Sequence, residues 1–422
     1  MKILKNIVVV GGGSSGWLTA AYLSHNFPNL NITIIDKEVG TPVGVGEATI
    51  LTFKVFLANC GFQLTDWKDE IDATEKLGIF FPNWIDKDKH IYHPFTLSKT
   101  DTSQYKERLT VRQDDSGNVA YHVDCGKLTS FLKKNIINKV NYIQSDVKKI
   151  EFEQNAIKKI ILKNNQEIYA DLYIDCTGFK SLLKNKSEKI ILKDRLICDT
   201  AIACHVNYLD KNKELLSYVI CEAVTDGWVW TIPVQSRMGS GFIFNRKITD
   251  IEKAKDFFIS YWNNRIKKEN LKVLDWTPSY EKKMWSENVV SIGLSAGFIE
   301  PLESTGLALA MEGIFQLSKR ITKKFYTIDD LKLFNKIMQL FFEKSIDFVN
   351  MHYLVSERKD VFWEQGRQLK KSEQFIVYNN VMENNNFDIL DENVSFNDID
   401  FFSSYSWYCW LYQSKQFSKI NT

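Results

Sequence analysis

Seven consecutive residues, Glu300-Pro301-Leu302-Glu303-Ser304-Thr305-Gly306, separate a strand-like run (Val289 to Gly293) from a helix-like run (Leu307 to Arg320). Their types suit chemistry at a helix start. Glu303 can take a proton, the first-turn N–H groups at Thr305 and Gly306 offer an anion site beside Ser304, and Gly306 admits a closely approaching cofactor. On its own Glu303 reads as a first-turn acid favoured by the macrodipole. Just upstream, Gly293-Leu294-Ser295-Ala296-Gly297 has the G-x-S-x-G spacing of a nucleophile elbow. An elbow needs its helix directly after the serine, whereas Phe298 to Thr305 intervene here and the only downstream histidine is His352, so no hydrolase is expected.

The elements that must hold such a site begin at the N-terminus. Ile7 to Val10 is an apolar strand that runs into Gly11-Gly12-Gly13-Ser14-Ser15-Gly16, and Trp17 opens a helix. Gly11, Gly13 and Gly16 form G-x-G-x-x-G in strand-to-helix context, the arrangement that brings backbone amides to a pyrophosphate. A second strand, Asn31 to Ile35, ends at Asp36, placed to bind a ribose hydroxyl. Gly44-Val45-Gly46-Glu47-Ala48-Thr49 then makes another glycine-punctuated approach to a helix, Leu51 to Cys60. A strand-turn-strand array from Val147 to Tyr169 precedes an apolar strand ending at Asp175-Cys176-Thr177-Gly178. A β-meander inserted before a late parallel strand predicts an α/β, FAD-binding Rossmann-type fold of the glutathione-reductase kind, with FAD favoured over NAD. Gly11, Gly13, Ser14, Ser15, Gly16, Trp17, Asp36, Gly46, Glu47, Ala48, Thr49, Gly178, Gly293, Leu302 and Gly306 are its expected contacts.

Residues 71–125 and 195–247 read as an inserted sheet over the cofactor, the first with a hairpin around Asp114 to Asn118. From Asp329 the pattern turns helical, with Leu333, Phe334, Ile337, Met338, Phe341 and Phe342 as its apolar positions. The expected division is an FAD-binding module with its inserted sheet over 1–325 and a helical substrate-covering region over 326–422.

A chain of 422 residues, 44% hydrophobic and 25% charged, has ample core and is not a disordered one. Its net charge of +2 is spread evenly, which argues against nucleic acid or an anionic membrane as partner. No apolar run spans a bilayer and no leader precedes Ile7, so a cytoplasmic protein is expected. Seven cysteines without paired spacing fit buried thiols better than disulfides or zinc, and His90 and His93 lack a third ligand nearby; no metal is expected.

At Trp228-Val229-Trp230-Thr231-Ile232-Pro233 the chain resembles flavin-dependent halogenases of the tryptophan halogenase family, matching their W-x-W-x-I-P motif at every fixed position. Gly11 to Trp17 resembles the family's G-G-G-x-x-G-W, Gly44 to Thr49 its G-V-G-E-A-T, and Tyr92-His93-Pro94-Phe95 its Y-H-S-F. Asp175 to Phe179 is similar to D-C-S-G-F, and Glu300 to Gly306 is identical to E-P-L-E-S-T-G. The likeness covers most of residues 5 to 365, with a weaker echo at 401 to 409.

The resemblance implies residue roles. Lys76, which alone reads as a surface lysine, takes the place of the catalytic lysine, and Glu303 that of the essential glutamate. Ser304, Thr305 and Gly306 match the halide–flavin contact. Trp228 and Trp230, with Ile232 and Pro233, lie beside the flavin and hinder direct monooxygenation, although two tryptophans two apart on a strand also suit core packing. His93, Pro94, Phe95 and Phe402 match substrate-facing positions. Reduced FAD, oxygen and halide would yield hypohalous acid, which needs a dry route to Lys76; Lys76 would polarise it as an ammonium or, with a lowered pKa, form a haloamine, and Glu303 would take the ring proton. Tryptophan-specific members hold the amino acid's charged end with a tyrosine pair and a glutamate, where this chain has Leu390, Asp391 and Asn397. The expected substrate is therefore an indole, phenol or other electron-rich arene, and a separate flavin reductase is expected because no NAD(P)H site is apparent. Halide preference and homo-oligomer formation are left open. The alternatives are an FAD-dependent aromatic hydroxylase, which would carry Asp where Leu294 follows Gly293, and a non-catalytic flavin-binding redox protein, which gives no reason for Lys76 and Glu303.

Overall fold

The structure is a computed structural model that describes residues 2–37, 47–94, 119–322, 325–383 and 401–418. Gly46, Phe95, Leu390, Asp391, Asn397 and the expected hairpin at 114–118 lie outside the described residues.

Apolar runs without alternation need cover on both faces and so make parallel strands. Asn6–Val10 is such a strand, with Asn31–Asp36 parallel on one side and Leu172–Asp175 parallel on the other. Asn141–Gln144 extends the first side and Val289–Ser291 the second, with Trp285–Ser286 as an antiparallel edge, giving six strands. The chain leaves Asn6–Val10 in one direction and returns on its other flank, so a crevice opens beyond its C-terminal end. The helix Ser14–Asn26 starts in that crevice and is buried from Gly16 to Leu23. The expected meander is an antiparallel sheet of Val147–Glu153, Ala156–Leu162 and Glu167–Ile168.

A seven-stranded sheet lies beyond it, in the order Lys272–Asp275, Thr200–Val206, Met238–Phe244, Gly227–Pro233, Tyr218–Val224, Gly78–Asp86 and Lys89–Pro94. It contains the strands expected from 71–125 and 195–247, with two differences: Lys272–Asp275 joins its edge from outside those ranges, and Thr74–Lys76 does not join it. Thr74–Lys76 stands in a separate small sheet, paired antiparallel to Ala120–Val123, whose other edge takes Glu47–Ala48. The three residues of Thr74–Lys76 are too few to show a period, so the sequence does not separate them from the strand that follows.

The expected late helix is Ile328–Leu354, begun by a Thr327/Asp330 capping box. It buries Phe334, Met338, Phe341 and Phe342, whereas Leu333 is 49% exposed at the edge of the stripe. The helix Ser404–Ser418 packs Trp407 and Trp410 into the main core. All seven cysteines are buried free thiols. Among the described residues no helix is long and apolar enough to cross a membrane.

Candidate active site

The glycines at the crevice divide into two kinds. Gly11 has φ +115°, and a Cβ there would stand 2.2 Å from the Cys176 carbonyl oxygen, where two parallel strands meet. A Cβ at Gly16 would stand 1.8 Å from the Gly11 carbonyl, and one at Gly12 would meet the Asp36 carboxylate at 2.0 Å. These three let strand, turn and helix close on one another. At Gly13, Gly178 and Gly306, by contrast, a Cβ would meet nothing within 4 Å. Gly178 has φ +71°, which itself favours glycine, whereas at Gly13 and Gly306 the open side is left for something other than protein packing.

Other expected cofactor residues surround this space. Ser14 Oγ lies 3.4 Å from Thr129 Oγ1, and Ser15 Oγ would be 2.1 Å from a Cβ on Gly293, which seats the later turn on the first helix. Trp17 and Leu302 are fully buried, Ala48 is buried, and Trp17 Nε1 and Glu47 Oε2 lack hydrogen-bond partners among the described residues. Burial pushes the Glu47 carboxyl up to about 7, against a hydrogen bond from Cys125. Open glycines at a helix N-terminus and strand ends, an acid at Asp36 and an orphaned buried carboxyl oxygen at Glu47 fit a flavin dinucleotide.

Lys76 is fully buried, and its Nζ donates to the Thr49 carbonyl at 3.0 Å and to Ser304 Oγ at 2.8 Å. Its strand is anchored by Thr74 Oγ1, which donates to the Pro233 carbonyl at 2.6 Å and lies 2.8 Å from His122 Nδ1. The lysine is thus tied to the far end of the Trp228–Pro233 run. Burial pulls the Lys76 ammonium down to about 7, although Glu303 pulls it up. Lys76 bonds to Ser304, the residue that follows Glu303 in the chain.

Ser304 stands at the N-cap of the helix Thr305–Ile321, with φ +63°, and makes no side-chain bond to that helix. A serine N-cap ordinarily satisfies a first-turn amide with its hydroxyl. Here the hydroxyl is turned to Lys76, which leaves the first-turn donors of Thr305 and Gly306 to another acceptor.

Glu303 precedes this helix, with φ +59°, so it is not the first-turn acid that its spacing suggested. Its carboxylate is enclosed by three rings. His93 Nδ1 is 2.9 Å from both oxygens, His352 Nε2 is 2.9 Å from Oε1, and Trp410 Nε1 donates to Oε1 at 3.3 Å. Burial alone would raise this carboxyl, but His93 and His352 outweigh it and hold it well below the usual range. Glu300, three residues earlier and fully buried, receives the Tyr353 hydroxyl at 2.5 Å on Oε1 and has Oε2 unpartnered among the described residues. Burial pushes it up to about 8.

The Trp228 N–H donates to the same Tyr353 hydroxyl at 3.0 Å, and its ring lies 6.4 Å from that of Trp230 on the same face. Trp230 lies flat on Gly241, where a Cβ would be 2.0 Å from the indole; Ile232 and Pro233 are buried beside it. Phe402 stacks on Phe348 at 4.2 Å, and the His93 ring lies 5.6 Å from the same Phe348. Pro94 ends the strand that carries His93.

His352, Phe348 and Trp410 are the site residues that sequence reasoning passed over. His352 and Phe348 share one face of Ile328–Leu354, four residues apart, and that helical period was their only signal. Ser295, the elbow-like serine, is fully buried, and its hydroxyl donates to the Asp175 and Ile292 carbonyls, which leaves it no nucleophile's role.

The family described as tryptophan halogenase matches residues 6–113 and 98–420. The chain is 27% identical to the tryptophan 6-halogenase ThaL of Streptomyces albogriseolus, over 87% of this chain and 80% of that one. Its fold is similar to that of Xcc4156, a flavin-dependent halogenase from Xanthomonas campestris, with TM-score 0.87, 25% identity and coverage of 98% and 89%. It is also similar to VirX1, with TM-score 0.79, 31% identity and coverage of 87% and 80%. Matched along nearly its whole length, with an FAD-type fold behind the match, the chain belongs to the tryptophan halogenase family of flavin-dependent halogenases.

Proposed function

We propose that this protein uses reduced FAD, oxygen and a halide ion to halogenate an electron-rich arene of indole or phenol type, with Lys76 and Glu303 as its catalytic residues. The observation that carries the reading is the turned Ser304 hydroxyl. It binds Lys76 and frees the helix N-terminus for an anion, so lysine and halide site share one residue.

Bound reduced flavin supplies the electrons with which oxygen, halide and a proton become hypohalous acid and water. Residues of the chain then govern where that acid can react. The first-turn amides at Thr305 and Gly306 hold the halide, while Trp228, Trp230, Ile232 and Pro233 wall the flavin from the arene. The Lys76 ammonium donates to the oxygen of hypohalous acid and polarises its bond to halogen. The arene carbon takes the halogen, and Glu303 takes the ring proton, which leaves as water with the departing hydroxide. Lys76 and Glu303 are both buried, so water is excluded where the acid is used.

His93, Pro94, Phe95 and Phe402 form the substrate wall in this reading. Leu390, Asp391 and Asn397 stand where tryptophan-specific members carry a tyrosine pair and a glutamate for the amino acid's charged end, so this reading favours an indole or phenol over free tryptophan, for which ThaL and other relatives are named. The same reading assigns 1–325 to the FAD-binding module and 326–422 to substrate cover, and places the enzyme in the cytoplasm beside a separate flavin reductase. The test is purified protein with FAD, a reductase with NADH, oxygen and each halide in turn, scanned against electron-rich arenes by mass spectrometry. Halogenated product is expected; hydroxylated product alone would refute the reading.

A further inference from the structure

The imidazole of His352 is fully buried, and each of its nitrogens faces an oxygen. Nδ1 lies 2.7 Å from the Phe348 carbonyl, one turn back in the same helix, and Nε2 lies 2.9 Å from Glu303 Oε1. A carbonyl has no proton to give, so Nδ1 must carry one. A neutral imidazole then has only a lone pair at Nε2, which would oppose the carboxylate oxygen. Both contacts are satisfied together only when one further proton lies between Nε2 and Oε1. His93 carries no such requirement, because Nδ1–H of a neutral ring suffices for its contact with Glu303.

From this geometry we infer that His352 is a positioning residue for halogenation: it supplies the proton that keeps buried Glu303 in its carboxylate form and pins Oε1, beside the His93 ring that reaches both oxygens. The inference rests on the reading of Glu303 as the proton acceptor. It also explains how so weak a base can serve, since a ring carbon carrying both hydrogen and halogen is a strong acid and asks for a charged, oriented acceptor more than a basic one.

The fold contains its own comparison. Glu300 lies in the same loop and is as deeply buried, but its donor is the Tyr353 hydroxyl and not an imidazole. The Glu300 carboxyl is pushed up while the Glu303 carboxyl is held down. The groups facing Glu303 are His93 from Lys89–Pro94, His352 from Ile328–Leu354, Trp410 from Ser404–Ser418, Lys76 from Thr74–Lys76 and Cys221 from Tyr218–Val224. Burial lowers the His352 pKa overall; of the groups facing it, Glu303 and the Phe348 carbonyl raise it and His93 lowers it. Of all these, His352 alone has both nitrogens committed to oxygens, which ties its proton to the charge on Glu303.

The test compares wild type with His352→Gln, whose amide N–H replaces Nε2–H without titrating, and His352→Phe, which keeps only a ring. Full-length protein labelled with 13C at the glutamate carboxyls is titrated without substrate, the Glu303 signal being the one lost in Glu303→Gln. In wild type this signal stays ionised to the lowest pH at which the protein is folded. It titrates at higher pH in His352→Gln and higher again in His352→Phe. The acid limb of the kcat profile for halogenation moves in the same order, and the Gln variant exceeds the Phe variant about tenfold at neutral pH, as loss of one charge-assisted hydrogen bond predicts. The carboxyl titration needs no turnover, so a protein that halogenates nothing removes the proposed function while this measurement still decides the role of His352. A Glu303 signal that titrates identically in all three proteins overturns the inference. If the Phe variant does not fold, wild type and the Gln variant decide alone, and coincident curves overturn it.

Discussion

Lys76 Nζ and Ser304 Oγ stand 2.8 Å apart, joining a three-residue strand near the N-terminus to the N-cap of a helix 228 residues later. The contact takes from the helix the cap it would normally have and gives the lysine a fixed direction in a buried site. Ser304→Ala should therefore loosen Lys76 without opening the flavin crevice. Losing a hydrogen bond to a charged group costs about 1.5–3 kcal/mol, which is roughly tenfold to a hundredfold in kcat for halogenation. Flavin affinity, followed by fluorescence quenching, should change little. Loss of flavin binding in parallel with kcat would show that the serine acts on the cofactor instead.

Lys76 and Glu303 should separate the two halves of the reaction. Lys76→Ala and Glu303→Ala are expected to lower halogenation by about a hundredfold or more, in the range of general acid–base catalysis. Each should still reoxidise reduced flavin with oxygen, because neither lies among the open glycines of the crevice. Stopped-flow flavin absorbance and product mass spectrometry on one sample compare the two rates. Full halogenation by either variant would remove that residue from the mechanism.

The two kinds of glycine give opposite failures. Gly16→Ala puts a Cβ 1.8 Å from the Gly11 carbonyl, backbone against backbone, so the N-terminal strand–turn–helix must shift and thermal stability should fall by several degrees. Gly13→Ala meets nothing in the protein within 4 Å and should melt as wild type does. Its methyl group would instead enter the space that the proposed function gives to the flavin's phosphates, so flavin affinity should drop about tenfold or more. Calorimetry and flavin titration on both variants test the assignment of that space.

What the sequence disclosed follows from how local each signal is. The turn from Gly11 to Gly16 and the acid at Asp36 act through neighbours in one βαβ unit, so their spacing shows their purpose before any contact is known. Glu303 stood out by its place in a local loop-to-helix run, but its environment was not legible. His93 comes from a strand 210 residues away and His352 from a helix 49 residues on, and a buried histidine on an amphipathic helix looks like any other core position. The backbone at Glu303 was equally hidden, since nothing in Glu-Ser-Thr-Gly requires two successive residues with positive φ before the helix. The strand of Lys76 was misplaced because its partner, Ala120–Val123, lies beyond an intervening hairpin of the other sheet.

Glu300 should make stability fall as pH rises. Its carboxyl is raised to about 8 by burial, while in the unfolded chain it titrates near 4.5, the ordinary value for this group. Between those values the folded state binds more protons than the unfolded one, so the stability present below pH 4.5 is progressively lost towards pH 8. Glu300→Gln keeps the acceptor for the Tyr353 hydroxyl but cannot ionise. Its melting temperature should match wild type to within a few degrees near pH 5 and exceed it increasingly towards pH 8. A constant difference across that range would mean that Glu300 is ionised in the folded protein.

Lys76 gives the last expectation, and the two forms of its chemistry predict opposite slopes. Burial lowers its pKa to about 7, so both amine and ammonium are present near neutrality. If the ammonium polarises hypohalous acid, halogenation must fall as pH rises through about 7; if a neutral amine first takes the halogen, it must rise through the same point. The proposed function takes the ammonium form, held towards the Thr49 carbonyl and Ser304. Single-turnover halogenation from pH 5.5 to about 8.5, with flavin oxidation recorded separately, should thus show a basic limb that is absent from the flavin step. A rate that climbs through this range would instead establish the amine as the nucleophile.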